Sequence, residues 1–216
     1  MVLHNLTGYG WYALIAAMAG DILVSLILPL FYKGYSITKM SISALGNPNS
    51  PVRLPFNIWM LIEGLLFLAA LPALYGLYSS VSKGLAVTTV IFVAVFAIGA
   101  CIFTCFFSVN ESKDIVTAAS KIHGAASVIG FMLFLIVPLF VAILSFKSGE
   151  KFTGVASVVC FVLALAFFVL FVMSDKEEFS KTVIVNEGLW QRLNLVFMYM
   201  PLVIVAVKQI LAGTAI

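Results

Sequence analysis

The side chains of this sequence that can do chemistry are few, and they lie mostly where long apolar runs begin or end. Ser43 and His123 provide a hydroxyl and an imidazole, the nucleophile and base of acyl transfer, and Asp114 provides a carboxylate that would orient the imidazole. Ser41 and Glu111 are alternatives for the first and third roles. There is no G-x-S-x-G motif. An interfacial hydrolase acting on a lipid-like substrate is therefore one hypothesis among several.

A second group of polar side chains is better suited to binding than to catalysis. Asn47, Asn57 and His123 offer hydrogen bonds, and Arg192 suits a phosphate or a carboxylate. Together they predict a polar pocket for a lipid or small amphiphile at one membrane face. Glu63 lies near the start of the second apolar run, where it can contact Arg192 or His123 as a structural ion pair or as a functional group.

Ionisable residues inside the apolar runs indicate a third function. Asp21 lies in the middle of the first run and Lys208 lies in the last. An ionisable side chain at the centre of a membrane helix costs about 2.5–3.5 kcal/mol of insertion free energy, so each of the two is expected to have a partner or a function. The two side chains can pair, or Lys208 can extend toward water while Asp21 stays neutral. A small proton-coupled carrier would use Asp21 together with Glu63.

The composition places all of these residues in a membrane protein. The chain is 63% hydrophobic and 10% charged, with a mean hydropathy of +1.17, whereas soluble domains carry about 25% charged residues. A membrane helix needs about 20 mostly apolar residues, and six runs meet that length. They are Trp11–Tyr32, Phe56–Tyr78, Leu85–Phe107, His123–Phe146, Phe152–Met173 and Leu193–Gly213. We predict an all-α polytopic protein in which residues 1–216 form a single bundle of six transmembrane helices.

The charge and the histidine count exclude several partners and cofactors. The net charge of +3 is spread over several connections and provides no surface for nucleic acid. The two histidines, His4 and His123, are predicted on opposite faces, so they cannot supply a three-histidine zinc site or two axial haem ligands. We expect no cofactor and no metal. A mixed site of His123 with Glu63, Glu111 or Asp114 stays open as an alternative.

The lengths of the connections predict how the polar residues are gathered. Long connections at 33–55, 107–122 and 174–192 alternate with the tight turns "SSVSKG" and "KSGEK". Six spans therefore bring all three long connections to one face and both termini to the other. The count of Lys and Arg favours long connections on the inside, whereas the even number of spans favours cytoplasmic termini. We adopt the second orientation, in the cell membrane.

Four short motifs resemble a known family. They are "SALGNP" after the first span, "PFNIWMLIEG" at the second, "HGAAS" at the fourth and "EGLWQR" before the sixth. In this combination the chain resembles a prokaryotic six-span membrane family catalogued as domain of unknown function 998, over nearly its whole length. The resemblance implies that the motifs lie together on one face.

The positions that match the family pattern are Ser43, Gly46, Asn47, Asn57, His123, Gly188 and Arg192. One motif departs from it. The family carries an acidic "FP-x-D"-like sequence between the third and fourth spans, where this chain reads "FFSVNESKD". Glu111 or Asp114 would take the place of that acid.

Overall fold

The computed structural model describes residues 2–110 and 115–213, and of residues 2–7 it describes the backbone only. This part of the chain contains eight α-helices and no strand. The α-helices are Val2–Ile27 (α1), Arg53–Tyr78 (α2), Lys83–Phe96 (α3), Phe103–Phe106 (α4), Ala118–Phe134 (α5), Val137–Lys147 (α6), Lys151–Met173 (α7) and Glu187–Gly213 (α8).

These helices form six segments that are long and apolar enough to cross a membrane. The segments are Gly8–Phe31, Arg53–Tyr78, Lys83–Phe106, Ala118–Lys147, Lys151–Met173 and Glu187–Gly213. They pack together as one bundle, in which α1 contacts α2 and α8, α3 contacts α2 and α5, and α7 contacts α6 and α8. The predicted all-α bundle of six transmembrane helices is confirmed.

Two of the six spans are interrupted. The third continues from α3 through a π-helical segment, Ala97–Ile102, into α4. The fourth breaks between α5 and α6, and Pro138 stands in the first turn of α6, where its missing N–H costs no helical hydrogen bond. Ala100 and Cys101 of the π-helical segment line a cavity together with Asp21 and Glu63.

Glycines bring the second, third and fourth spans into backbone contact. A Cβ on Gly64 would lie 2.8 Å from the carbonyl oxygen of Ala97, and one on Gly99 would lie 2.7 Å from that of Ala126. Small residues of this kind permit the close helix approach that drives packing in membranes. The π-helical segment is therefore held tightly on both sides.

The described parts of the three long connections lie at one face of the bundle, as predicted. The backbone N–H of Leu189, at the start of α8, donates to the carbonyl of Thr38 in the first connection at 3.0 Å. Ser43 of the first connection lines the same cavity as His123 of α5 and Gln191 of α8. At the opposite face, Lys208 near the end of α8 pairs with Glu150 in the turn before α7.

Three helices begin earlier than the sequence predicted. The second, fourth and sixth spans start at Arg53, Ala118 and Glu187 rather than at residues 56, 123 and 193. His123 and Arg192 consequently lie inside helices, where their side chains are only 5% and 6% exposed. Both were predicted to stand at the mouth of a helix, and both are instead part of the packed bundle.

Candidate functional site

The guanidinium of Arg192 holds the first long connection onto α8. Its Nη1 donates to the carbonyl oxygens of Ile37 at 2.8 Å and Gly188 at 2.9 Å. Its Nη2 donates to the carbonyl of Ser25 at 2.9 Å and to the hydroxyl of Tyr35 at 3.0 Å. These bonds occupy most of the donors that the sequence had suggested for a phosphate or carboxylate. Arg192 therefore acts here as a clamp on the protein's own backbone.

The neighbours of Arg192 in "EGLWQR" serve the same connection. The side-chain Oε1 of Gln191 accepts the backbone N–H of Ile42 at 2.7 Å. A Cβ at Gly188 would lie 2.2 Å from the carbonyl oxygen of Met40 and 2.4 Å from that of Ile37. Glycine is thus required at this position for the connection to approach α8 closely.

Tyr35 completes this contact from within the connection. Its hydroxyl donates to the carbonyl of Ser41 at 2.8 Å and accepts from Arg192. Burial raises the pKa of Tyr35 above the ordinary value of 10.0, and the nearby positive charge of Arg192 acts in the opposite direction. The hydroxyl is therefore neutral at physiological pH and keeps its proton for Ser41.

The two asparagines predicted to bind a ligand also shape the loop. Asn47 Nδ2 donates to the carbonyl of Ala44 at 2.8 Å and to the Tyr32 hydroxyl at 3.1 Å, while its Oδ1 accepts the N–H of Asn49 at 2.9 Å. This is an Asx-type turn. Asn57 lies against Gly46, and its buried Oδ1 has no hydrogen-bond partner. Of the two, Asn57 keeps a free acceptor.

The centre of the bundle contains two carboxylates that share one hydroxyl. Tyr199 Oη lies 2.8 Å from Asp21 Oδ2 and 3.4 Å from Glu63 Oε1. Asp21, Glu63 and Tyr199 are 5%, 1% and 2% exposed. A single O–H cannot donate to two carboxylates at once, and two buried anions so close repel each other. A proton shared between the two acids satisfies the arrangement: protonated Glu63 donates to Tyr199, and Tyr199 donates to Asp21.

The second oxygen of Glu63 is left over. Glu63 Oε2 is buried and has no hydrogen-bond partner, although the Cys101 side chain lies beside the carboxylate. Such a group costs about 1–3 kcal/mol, more if charged, unless water or a ligand satisfies it. It marks the position at which the site can accept a bond from a bound donor.

A cavity connects these acids to the face of the long connections. Its volume is about 30 Å³, room for about two water molecules. Asp21 and Glu63 line its inner part, and Ser43, His123 and Gln191 line it where the connections meet. The ring of Tyr199 packs against an aromatic cluster of Phe67, Phe96 and Phe134, of which Phe96 also lines the cavity.

His123 has one ring nitrogen engaged by the backbone. Its Nδ1 lies 2.7 Å from the carbonyl oxygen of Phe107. Because a carbonyl only accepts, Nδ1 carries the proton and Nε2 is the acceptor nitrogen of the neutral ring. The imidazole thus has the tautomer that a base requires. Among the described residues, no three His, Cys, Asp or Glu side chains group together as metal ligands.

The pairing of Asp21 with Lys208 is wrong. Lys208 Nζ contacts Glu150 and lies 3.4 Å from Thr153 Oγ1, at the face of the short turns. Lys208 is therefore directed toward water, as the alternative interpretation proposed. Asp21 receives the hydroxyl of Tyr199 and, through space, the positive charge of Arg192.

The structure brings together some of the predicted site residues and separates others. Ser43, Glu63 and His123 line one cavity with Asp21, whereas Asn47 and Arg192 bond to the first connection. Asp114 and its alternative Glu111 lie outside the described residues. Tyr199 was not among the residues predicted from the sequence, although its hydroxyl is the one polar side-chain group in "FMYMPL".

A family model described as "Protein of unknown function (DUF998)" matches residues 14–208 of this chain. No curated protein and no solved structure matches it. The matched region includes both carboxylates, all residues named as lining the cavity and the residues that hold the first connection.

Proposed function

The chain belongs to the DUF998 family, and we propose that it is a small carrier that binds a proton or a small organic cation between Asp21 and Glu63. The observation that carries this proposal is the sharing of one tyrosine hydroxyl by two buried carboxylates. Ionisable residues in the membrane interior are costly and mark ion or proton pathways. We place the protein in the cell membrane with cytoplasmic termini, so that the cavity opens outward.

The chemistry of the inner site favours a cationic ligand. The site offers acceptors, among them the unpartnered Glu63 Oε2, and the hydroxyl of Tyr199 is already donated to Asp21. A cavity of about 30 Å³ admits water, a proton or a small ammonium group rather than a whole lipid headgroup. The proton that the two acids share is the one that an entering cation would replace.

The π-helical segment supports a role in movement. Ala97–Ile102 includes Ala100 and Cys101, which line the cavity beside Glu63. π-Helical turns are rare and occur frequently at functional sites, because the wider turn changes which backbone groups are bonded. A return of this segment to α-helix would rotate Cys101 relative to Glu63 and change access to the acids.

Binding of a lipid or small amphiphile is a second candidate, favoured by the outer part of the cavity. Ser43, His123 and Gln191 are polar, while Phe56 and Met60 beside them are apolar. This combination suits a molecule with a polar head and an apolar body. The ligand most compatible with both parts is an alkylamine whose ammonium group reaches Asp21 or Glu63.

The hydrolase hypothesis stays a prediction. Ser43 and His123 line the same cavity, and His123 has its acceptor nitrogen free for a base role. A third group to orient the imidazole is provided by the carbonyl of Phe107 rather than by a carboxylate. Such an orienting contact lacks the negative charge that stabilises an imidazolium during acyl transfer.

Infrared difference spectroscopy of the purified protein tests the shared proton. We expect a carbonyl stretch of a buried protonated carboxyl in the wild type, and we expect Glu63→Gln to remove it. Glu178→Gln, at an exposed position in the connection after α7, is the matched control and should leave the band unchanged. Absence of the band in the wild type, or its persistence in both Asp21→Asn and Glu63→Gln, would refute the proposal.

Binding of a fluorescent dansyl-alkylamine separates the candidates. For a carrier site, Asp21→Asn and Glu63→Gln should each weaken binding by about tenfold or more, since a charged contact contributes about 1.5–3 kcal/mol. For an outer amphiphile pocket, His123→Gln and Ser43→Ala should weaken it while Asp21→Asn has little effect. An unchanged affinity in all four variants would reject both assignments.

A further inference from the structure

A second cavity opens at the opposite face of the bundle, where the tight turns lie. Its volume is about 190 Å³, several times that of the first. The polar residues around it come from α2, the end of α6, the start of α7 and the end of α8. They are Tyr78, Ser145, Ser148, Glu150, Thr153, Lys208 and Gln209. None of these residues belongs to the site of Asp21, Glu63 and Tyr199.

The mouth of this cavity carries one positive and one negative charge. Lys208 Nζ contacts Glu150 Oε2, and the two side chains are 43% and 53% exposed. An ion pair so open to water contributes little stability, about 0–1 kcal/mol. Lys208 and Glu150 can therefore give up this ion pair for contacts with a ligand at a small cost in free energy.

The walls of the cavity carry buried hydroxyls. Tyr78, Ser145 and Thr153 are 4%, 1% and 1% exposed, and Thr153 Oγ1 lies 3.4 Å from Lys208 Nζ. They come from three different helices and converge on the space below the ion pair. Hydroxyls can donate to a phosphate oxygen or accept from an ammonium group.

The position along the membrane normal indicates which molecules the cavity meets. Glu150 precedes α7 and Lys208 lies near the end of α8, so both stand where a span leaves the hydrocarbon region. The exposed Lys83, Lys147 and Lys151 lie at the same face. This face thus attracts the phosphates of lipid headgroups.

We propose that this cavity binds a zwitterionic headgroup that carries a phosphate and a primary amine. The phosphate lies on Lys208 and the hydroxyls of Thr153 and Ser145, and the ammonium group lies on Glu150. A headgroup with both charges replaces one exposed ion pair by two ligand contacts. An anionic headgroup without an amine would leave Glu150 facing negative charge.

Native mass spectrometry of the full chain in detergent tests this proposal with added phosphatidylethanolamine, phosphatidylglycerol and phosphatidylcholine. We expect phosphatidylethanolamine to bind in preference to the other two. Lys208→Gln should weaken the binding of phosphatidylethanolamine by about tenfold or more, which corresponds to the loss of one charged contact, whereas Lys208→Arg should retain binding. Glu150→Gln should abolish the preference over phosphatidylglycerol. Lys83→Gln, an exposed lysine at the same face, is the control.

Equal binding of the three lipids, or an unchanged affinity in Lys208→Gln, would overturn the assignment. Thermal unfolding of Lys208→Gln separates a folding defect from lost binding, and Glu150→Gln tests the site independently if the first variant unfolds. Soluble phosphoethanolamine distinguishes the sources: displacement of the lipid supports recognition of the headgroup alone, and no displacement supports a membrane lipid as the ligand. The test is independent of Asp21 and Glu63.

Discussion

Gly188→Ala is the substitution whose effect follows most directly from the structure. The new Cβ would lie 2.2 Å from the carbonyl oxygen of Met40, 2.4 Å from that of Ile37 and 2.9 Å from Arg192 Nη1. Two of these three atoms are backbone, which cannot rotate away. The first connection must therefore move off α8 by about 1 Å or more to reach ordinary van der Waals contact.

That displacement breaks identifiable hydrogen bonds. The bond from Arg192 Nη1 to Ile37, now 2.8 Å, would exceed hydrogen-bonding length, and the Leu189–Thr38 backbone bond would lengthen from 3.0 Å. A bond to a charged group contributes about 1.5–3 kcal/mol and a backbone bond about 1 kcal/mol. Alanine recovers up to about 1 kcal/mol of helix propensity. We expect a net loss of about 1.5–3 kcal/mol.

A thiol-reactive fluorophore in detergent measures this loss. Cys101 and Cys160 are buried whereas Cys105 is partly exposed, so the assay uses a Cys105→Ser background in which the two buried thiols react only when the bundle opens. For a chain of this size a loss of about 1.5–3 kcal/mol corresponds to a midpoint lowered by about 3–12 °C. Gly124→Ala is the matched control, because a Cβ at Gly124 meets nothing within 4 Å, and its midpoint should stay or rise slightly. If Gly188→Ala unfolds at the same temperature as Gly124→Ala, the account of the "EGLWQR" motif is wrong.

Two further predictions concern α1 and the first connection. Gly20→Ala places a Cβ 2.1 Å from Trp59 Cη2 and should cost about 1–3 kcal/mol of stability by overpacking. Adding Trp59→Phe to the same chain should restore part of the lost stability. If the effects of the two substitutions on thermal unfolding are additive, the contact is contradicted. Tyr35, whose pKa is raised by burial, contributes stability that is complete below about pH 10 and is lost as pH rises through the higher folded-state pKa. Above about pH 10, the free energy of unfolding should therefore decrease more steeply with rising pH for the wild type than for Tyr35→Phe. Parallel pH dependences would count against the raised pKa of Tyr35.

Much of the fold was predictable because hydropathy is a local property of the chain. The six runs of membrane-spanning length predicted the number of spans, and the alternation of long and short connections predicted that Ser43 and His123 face the same side. The boundaries were less accurate, since the polar residues that open three of the spans are already helical. His123 and Arg192 are buried for that reason.

The role of Arg192 could not be predicted from its type. A guanidinium can donate to phosphates, to carboxylates and to backbone carbonyls, and only the fold brings the carbonyls of Ile37 and Ser25 within its reach. From the sequence, Arg192 was predicted to contact Glu63 or a ligand. The structure instead places Tyr199 beside Glu63 and leaves Arg192 on the first connection.

The amino-acid sequence by itself determined that this is an all-α membrane protein of six spans whose long connections share one face, because composition and run length decide which segments leave water. Only the tertiary structure decided which polar groups meet. Asp21, Glu63 and Tyr199 lie on three different spans, and the rotation of each helix about its own axis depends on close contacts such as those of Gly10, Gly20 and Gly64 with neighbouring helices. Those contacts join residues far apart in the chain, so no local pattern records them.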